Sequence, residues 1–192
     1  MKMPQYVIDR VMNKRGREHV FDAFDPKVTA FMVTDMQNAF VKGKVKADSA
    51  IAIMPNINLL AQKLRNMGGH VAWVQLQAGD KNGNSVAELY HKYFFTPQGA
   101  EAHRSSLTPG DWGFELCEEL DVQDGDIRSV KTRHSAFVPG HSDLHQQLQE
   151  RGIENLLIGG TVTNFCCETS ARDAMMLDYR VVMVSDCNAA RF

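Results

Sequence analysis

The chain has 192 residues, 44% hydrophobic and 23% charged, with a formal net charge of -2. That suits one globular domain with a sizeable core, and it advertises neither nucleic acid nor an anionic membrane as a partner, since no Lys/Arg run exceeds two residues. Apolar runs are too short for a transmembrane helix, and the opening MKMPQYVIDRVMNKRGREH lacks the apolar stretch of a secretory signal, so the expected location is cytoplasmic.

Residues 1–27 read as an N-terminal arm. Val7, Ile8, Val11 and Met12 fall on one face of a short helix, suited to packing on the body or on a second subunit. Residues 28–192 read as a single domain. After Pro26, VTAFMVTDM (28–36) is a β-branched apolar run, expected as a strand buried on both faces. IAIMPNINLLAQKLRNMGG then has helical spacing at Ile57, Leu60, Ala61 and Leu64, stopped by Gly68 and Gly69. HVAWVQLQ is a second strand. SVAELYHKYF is a short helix inside a long polar insertion, and GFELCEEL another short helix. DIRSVKTR is a strand, and SDLHQQLQERG a helix with Ser142 as its cap and Gly152 as its stop. NLLIGG is a strand, residues 164–177 a helix, and RVVMVSD the last strand. Apolar strands alternating with helices imply an α/β fold: a three-layer α/β/α sandwich around a central, mostly parallel, doubly wound sheet.

Sites in such sheets lie at the carboxyl ends of strands. Asp35 ends the first strand, Gln75 and Gln77 the second, and Lys131 the third, while Cys166 sits just past LLIGG in the first turn of a helix. Singly, each has an ordinary reading as a cap, a solvated cation or a small core residue. Together they are an acid, a cation and a thiol that can converge in one crevice, with Lys131 as the partner a carboxylate at a buried strand end requires. The four cysteines, Cys117, Cys166, Cys167 and Cys187, include no C-x-x-C pair and read as reduced. Cys166 and Cys167 both feel a helix N-terminus, capped by Thr163 or Asn164, which is expected to lower a thiol pKa. They point roughly 100° apart. A sheet-facing stripe of Cys167, Ala171, Ala174 and Met175 puts Cys167 in the core and leaves Cys166 for the site.

Three blocks, TAFMVTDMQNAF, GDIRSVKTRHSAF and GGTVTNFCCETSARDAMMLDYRVVMVSD, resemble the signatures of the isochorismatase-like cysteine hydrolases, a likeness that runs from about Val28 to Ala190. The resemblance implies a catalytic triad of Asp35, Lys131 and Cys166, with Cys167 in an apolar slot. It also implies a cis peptide at Thr161–Val162 that aims the N–H groups of Val162 and Cys166 as an oxyanion hole. Asp35 would take the proton of Cys166, and the thiolate would attack a carbonyl to give a thioester that water hydrolyses, with no cofactor. The closest flavour is the ureidoacrylate and N-carbamoyl amidohydrolases, which act on C–N bonds of small polar molecules. The alternatives are an isochorismatase-type hydrolase of another bond and a catalytically silent binding member of the fold. Phe40, Gln75, Gln77, Trp112, His134 and Phe137 are the candidate substrate contacts.

The nicotinamidases of the family carry a D-x-H…H metal site after the second strand, where this chain has WVQLQAGDKNGNS, so no metal is expected. His141 and His145 are spaced for one helix face but lack a third ligand and read as solvated. Family members form homo-oligomers, dimers or tetramers. They also usually continue beyond DCNAARF with another helix, so either this chain is short or a tail is missing from the sequence.

Overall fold

The computed structural model describes residues 3–43, 45–47 and 49–190. Five strands, β1 (Thr29–Thr34), β2 (His70–Leu76), β3 (Ile127–Lys131), β4 (Asn155–Thr161) and β5 (Arg180–Ala189), form one parallel sheet in the order β3-β2-β1-β4-β5. Every residue of β1 is buried. The apolar run that marks it has no solvent face because helices cover both sides of the sheet.

The pleat divides that run between two cores. Phe31 and Val33 join Val71 and Trp73 of β2 against α3 (Ala50–Asn66). Ala30 and Met32 join Ala72 and Val74 on the opposite face, against α6 (Leu144–Glu150) and α7 (Glu168–Met176). Helix α3 buries Ala50, Ile53, Met54, Ile57, Ala61 and Leu64, a stripe at helical spacing that lies along the sheet. Strands β2 and β3 lie to one side of β1, β4 and β5 to the other. The sheet therefore has its topological switch between β1 and β4, where a crevice opens at the carboxyl ends.

Several local expectations are corrected. GFELCEEL is not a helix. Its backbone pairs instead with the chain after β1, Asn38 N–H donating to the Glu115 carbonyl at 2.9 Å and Cys117 N–H to that of Met36 at 3.0 Å. The polar insertion holds two helices rather than one, α4 (Glu88–Phe94) and α5 (Pro97–Ser106). Thr96 caps the second, accepting from the Gly99 N–H at 3.1 Å, with Pro97 at its first position. A short helix α2 (Asn38–Val41) follows β1. Helix α1 (Gln5–Arg15) forms in the N-terminal arm but buries none of its residues.

Gly160 sets how closely β4 approaches β1. It has φ 109°, and a Cβ there would lie 2.1 Å from the Thr34 carbonyl oxygen. Gly83, at φ 80°, has open space around it. Gly160→Ala should therefore lower stability to urea by about 3 kcal/mol, from strain and backbone collision together, while Gly83→Ala costs about 1 kcal/mol from backbone conformation alone.

Candidate active site

Asp35 leaves β1 with φ 52°, a left-handed conformation that Asp tolerates better than most residues. Its backbone is pinned from both neighbouring strands. The Asp35 N–H donates to the Val74 carbonyl at 2.8 Å, and the Thr161 hydroxyl donates to the Asp35 carbonyl at 2.9 Å. Lys131 closes β3 and reaches past β2, so that its Nζ donates to Asp35 Oδ2 at 2.9 Å and to the Arg133 carbonyl at 3.2 Å. Both side chains are fully buried. The other carboxylate oxygen, Asp35 Oδ1, has no hydrogen-bond partner.

Cys166 lies in a single π-helical turn, Thr163–Cys167, between β4 and α7. The wide turn is closed by the Cys167 N–H donating to the Val162 carbonyl at 3.3 Å. Val162, preceded by a cis peptide to Thr161, is the capping residue, and neither Thr163 nor Asn164 supplies a side-chain cap. Cys167 is in the core with Ala174, and its thiol donates weakly to the Gly159 carbonyl at 3.8 Å. The expected stripe holds at Cys167, Ala171 and Ala174, which pack in one core cluster with Ser170 buried beside them, whereas Met175 lies outside it and is exposed.

The electrostatics overturn one expectation. Burial pushes the Cys166 thiol up to about 12, the Asp35 charge adds to the rise, and Lys131 only partly offsets it. Burial and the Asp35 carboxylate thus set the proton affinity of the sulfur, and the resting sulfur is a thiol. Burial also raises the Asp35 carboxyl above its ordinary range against the pull of Lys131. Burial works against the Lys131 ammonium too, but the charges of Asp35 and Cys166 hold it above its usual range. His134 Nδ1 lies 3.7 Å from Cys166 Sγ, and burial, then Lys131, lowers its pKa, so the imidazole is neutral.

A cavity of about 270 Å³ opens beside the sulfur. Of the residues singled out from the sequence, Phe40, His134, Val162 and Cys166 line it. Gln75 and Gln77 do not, because the alternation of β2 gives the cavity Leu76. The Gln75 amide donates to the Phe114 carbonyl at 2.8 Å, and that of Gln77 to the Gly79 carbonyl at 3.0 Å. Trp112 is 60% exposed, and its carbonyl accepts from the Asn38 amide at 2.9 Å. Phe137 packs in the core against Tyr179, ring centroids 5.8 Å apart. His141 and His145 do not share a helix face. His141 precedes α6 and meets the Thr132 hydroxyl at 2.8 Å, while His145 Nδ1 meets the Tyr179 hydroxyl at 2.9 Å.

Four further cavity residues, Tyr90, Phe94, Phe95 and His103, come from the α4–α5 insertion. Its Thr96-Pro97 pair is a sequence signal for a helix start, but nothing local says that the helix folds back over the strand ends.

The Isochorismatase domain family model matches residues 29–192. The chain belongs to the isochorismatase family. It is 31% identical over 177 residues to a ureidoacrylate amidohydrolase RutB of Klebsiella pneumoniae subsp. pneumoniae, covering 85% of this chain and 74% of that protein. It is 34% identical over 175 residues to a RutB of Rhizobium rhizogenes, covering 84% and 70%. A cysteine hydrolase from Pseudomonas syringae pv. phaseolicola superposes with a TM-score of 0.73 at 31% identity, covering 87% of this chain and 75% of the other. An isochorismatase-like hydrolase from Alkaliphilus metalliredigens superposes with a TM-score of 0.70 at 28% identity, covering 85% and 84%.

In this member of the isochorismatase family, removing one partner of the buried ion pair strands the other charge in a medium that cannot solvate it. Lys131→Met should cost about 3–5 kcal/mol in urea unfolding, and the Asp35→Asn/Lys131→Met double variant should recover most of that loss.

Proposed function

We propose that the protein is a cysteine-dependent amidohydrolase that cleaves an amide or ureido C–N bond of a small polar molecule through a thioester. The observation that carries this reading is that the Lys131 ammonium bonds the Asp35 carboxylate at 2.9 Å and both interact with the sulfur of Cys166, which lines the cavity, while Asp35 Oδ1 has no hydrogen-bond partner. The similarity to ureidoacrylate amidohydrolases supports the bond type.

A thiol pushed up to about 12 cannot supply much free thiolate at neutral pH, so attack needs a base in contact with it. Asp35 is that base. Its Oδ1 accepts the Cys166 proton as the sulfur bonds to the substrate carbonyl carbon. Lys131 stays on Oδ2 and keeps a positive charge beside both acids throughout the transfer. The carbonyl oxygen takes the electron pair and is stabilised by the N–H groups of Val162 and Cys166. The tetrahedral centre then collapses, the C–N bond breaks, and protonated Asp35 gives its proton to the departing nitrogen. Water, deprotonated by Asp35, attacks the thioester and restores the thiol.

Burial gives the raised carboxyl of Asp35 a second role. A proton shared between a thiol pushed up to about 12 and an ordinary carboxylate would sit almost wholly on the sulfur. Raising Asp35 brings its proton affinity closer to that of the sulfur and so favours removal of the thiol proton.

Ammonia release from ureidoacrylate, N-carbamoyl amino acids, maleamate, nicotinamide and biuret tests the reading. Cys166→Ala should abolish release, whereas Cys167→Val should keep most of it. Asp35→Asn should fold and lose at least about a thousandfold in kcat. Release that survives Cys166→Ala would overturn the mechanism.

The pH profile follows from the same assignments. Asp35 must be ionised to take the proton, and its carboxyl is raised above the ordinary 3.8. The acid limb of kcat/KM should therefore lie above pH 3.8, activity falling as pH drops through it.

A further inference from the structure

The sulfur of Cys166 has a third polar neighbour besides Asp35 and Lys131. His134 Nδ1 lies 3.7 Å from it, within reach of a weak hydrogen bond of either sense, N–H to sulfur or S–H to nitrogen. Among the described residues the sulfur is the only hydrogen-bonding contact of this ring. The ring is held from several sides. It packs edge-on against Tyr90, centroids 4.8 Å apart, and lies tilted against Phe165 at 5.5 Å. The residue before it is fixed twice, because the Arg133 carbonyl accepts from Lys131 Nζ at 3.2 Å and the Arg133 guanidinium donates to the Val86 carbonyl at 2.9 Å.

Hydrogen-bond accounting decides the sense of the contact. The thiol has one hydrogen and two neighbouring acceptors, the Asp35 carboxylate and His134 Nδ1. Given to Asp35, that hydrogen meets a charged acceptor and serves Oδ1, a buried oxygen that otherwise has no partner. Given to His134, it leaves that oxygen unpaired. The first arrangement wins, and the hydrogen between ring and sulfur must then be the ring's own, since a bare Nδ1 would set its lone pair against those of the sulfur. The imidazole is neutral and carries one proton, so that proton is on Nδ1. Nε2 becomes the acceptor, on a ring that lines the cavity where water can reach it.

We infer that His134 is a further catalytic residue, a neutral donor whose Nδ1–H stays on the Cys166 sulfur through both halves of the reaction. The inference rests on the cysteine-hydrolase reading and deepens it. In the second half, water bonds to the thioester carbon as Asp35 takes its proton, the C–S bond breaks, and its electron pair goes to the sulfur. Asp35 returns the proton to the sulfur, and His134 keeps its own. The sulfur carries most charge while that bond breaks, which is when a fixed donor counts most. A neutral donor does this without holding the resting sulfur as a thiolate, as an imidazolium would.

Two measurements test this. The 15N resonances of the His134 ring should report the Nδ1–H tautomer in the wild-type protein and move toward Nε2–H in Cys166→Ala, where the acceptor is gone. p-Nitrophenyl acetate acetylates a nucleophilic thiol whatever the natural substrate, so it separates the two halves. Release of p-nitrophenol reports formation of the thioester, and intact mass reports its loss. His134→Phe, which keeps a flat ring between Tyr90 and Phe165, should lose the acetyl group at least about tenfold more slowly than the wild type, so that acetyl-enzyme accumulates. His134→Asn, whose amide N–H can stand where Nδ1–H stood, should recover part of that rate. A ring that served only packing would give the reverse order, Phe faster than Asn.

An Nε2–H tautomer in the wild type, or deacetylation of His134→Phe at the wild-type rate or faster than that of His134→Asn, would overturn the inference. Failure of Cys166 to be acetylated at all would overturn it together with the nucleophile assignment. Slow deacetylation of His134→Phe in a protein whose wild type releases no ammonia from any amide would support His134 and count against the amidohydrolase reading alone.

Discussion

The buried pair of Asp35 and Lys131 is the constraint on which the site depends. Two ions without solvent contact can persist only when each is the other's counter-charge and the remaining hydrogen-bonding capacity is nearly used. Lys131 satisfies this by also donating to the Arg133 carbonyl. Asp35 leaves one oxygen unmatched, the atom the proposed mechanism uses as base. The pair lies at the strand ends because the parallel sheet brings β3 and β1 within reach of a lysine side chain, with β2 between them. The backbone around Asp35 is fixed by hydrogen bonds from β2 and β4, so the carboxylate is aimed by the sheet itself rather than by a loop.

Reactivity follows from burial in a less obvious way. A thiol at the start of a helix ordinarily titrates low, yet here desolvation and the neighbouring carboxylate dominate. Under the proposed mechanism the thiol stays protonated with its base adjacent, an arrangement that needs no free thiolate between turnovers. The same desolvation protects the sulfur, since thiolate character governs alkylation and oxidation. The neutral His134 beside the sulfur adds a polar edge without adding a competing charge.

The insertion between β2 and β3 supplies what the sheet cannot. The strand ends present Asp35, Lys131 and Cys166, while the α4–α5 insertion brings Tyr90, Phe94, Phe95 and His103 to the cavity beside Cys166. His134 joins the two layers, packing edge-on against Tyr90 with centroids 4.8 Å apart and tilted against Phe165 at 5.5 Å. The cavity is thus built from two parts of the chain, the strand ends and the insertion.

The sequence by itself determined the alternation of strands and helices, the parallel sheet and the three strand-end residues, because apolar period and glycine stops act locally. It also separated Cys166 from Cys167, since neighbouring residues on a helix face different ways. Only the tertiary structure decided the rest. GFELCEEL has helical composition, but its backbone is consumed by pairing with the chain after β1. Gln75 and Gln77 look available at a strand end, but strand parity gives the cavity to Leu76. His103 could not be placed on the cavity wall from sequence, because that depends on a helix folding back across the sheet. The thiol's high pKa was equally hidden, because desolvation is a property of everything packed around the sulfur and not of its position in a helix.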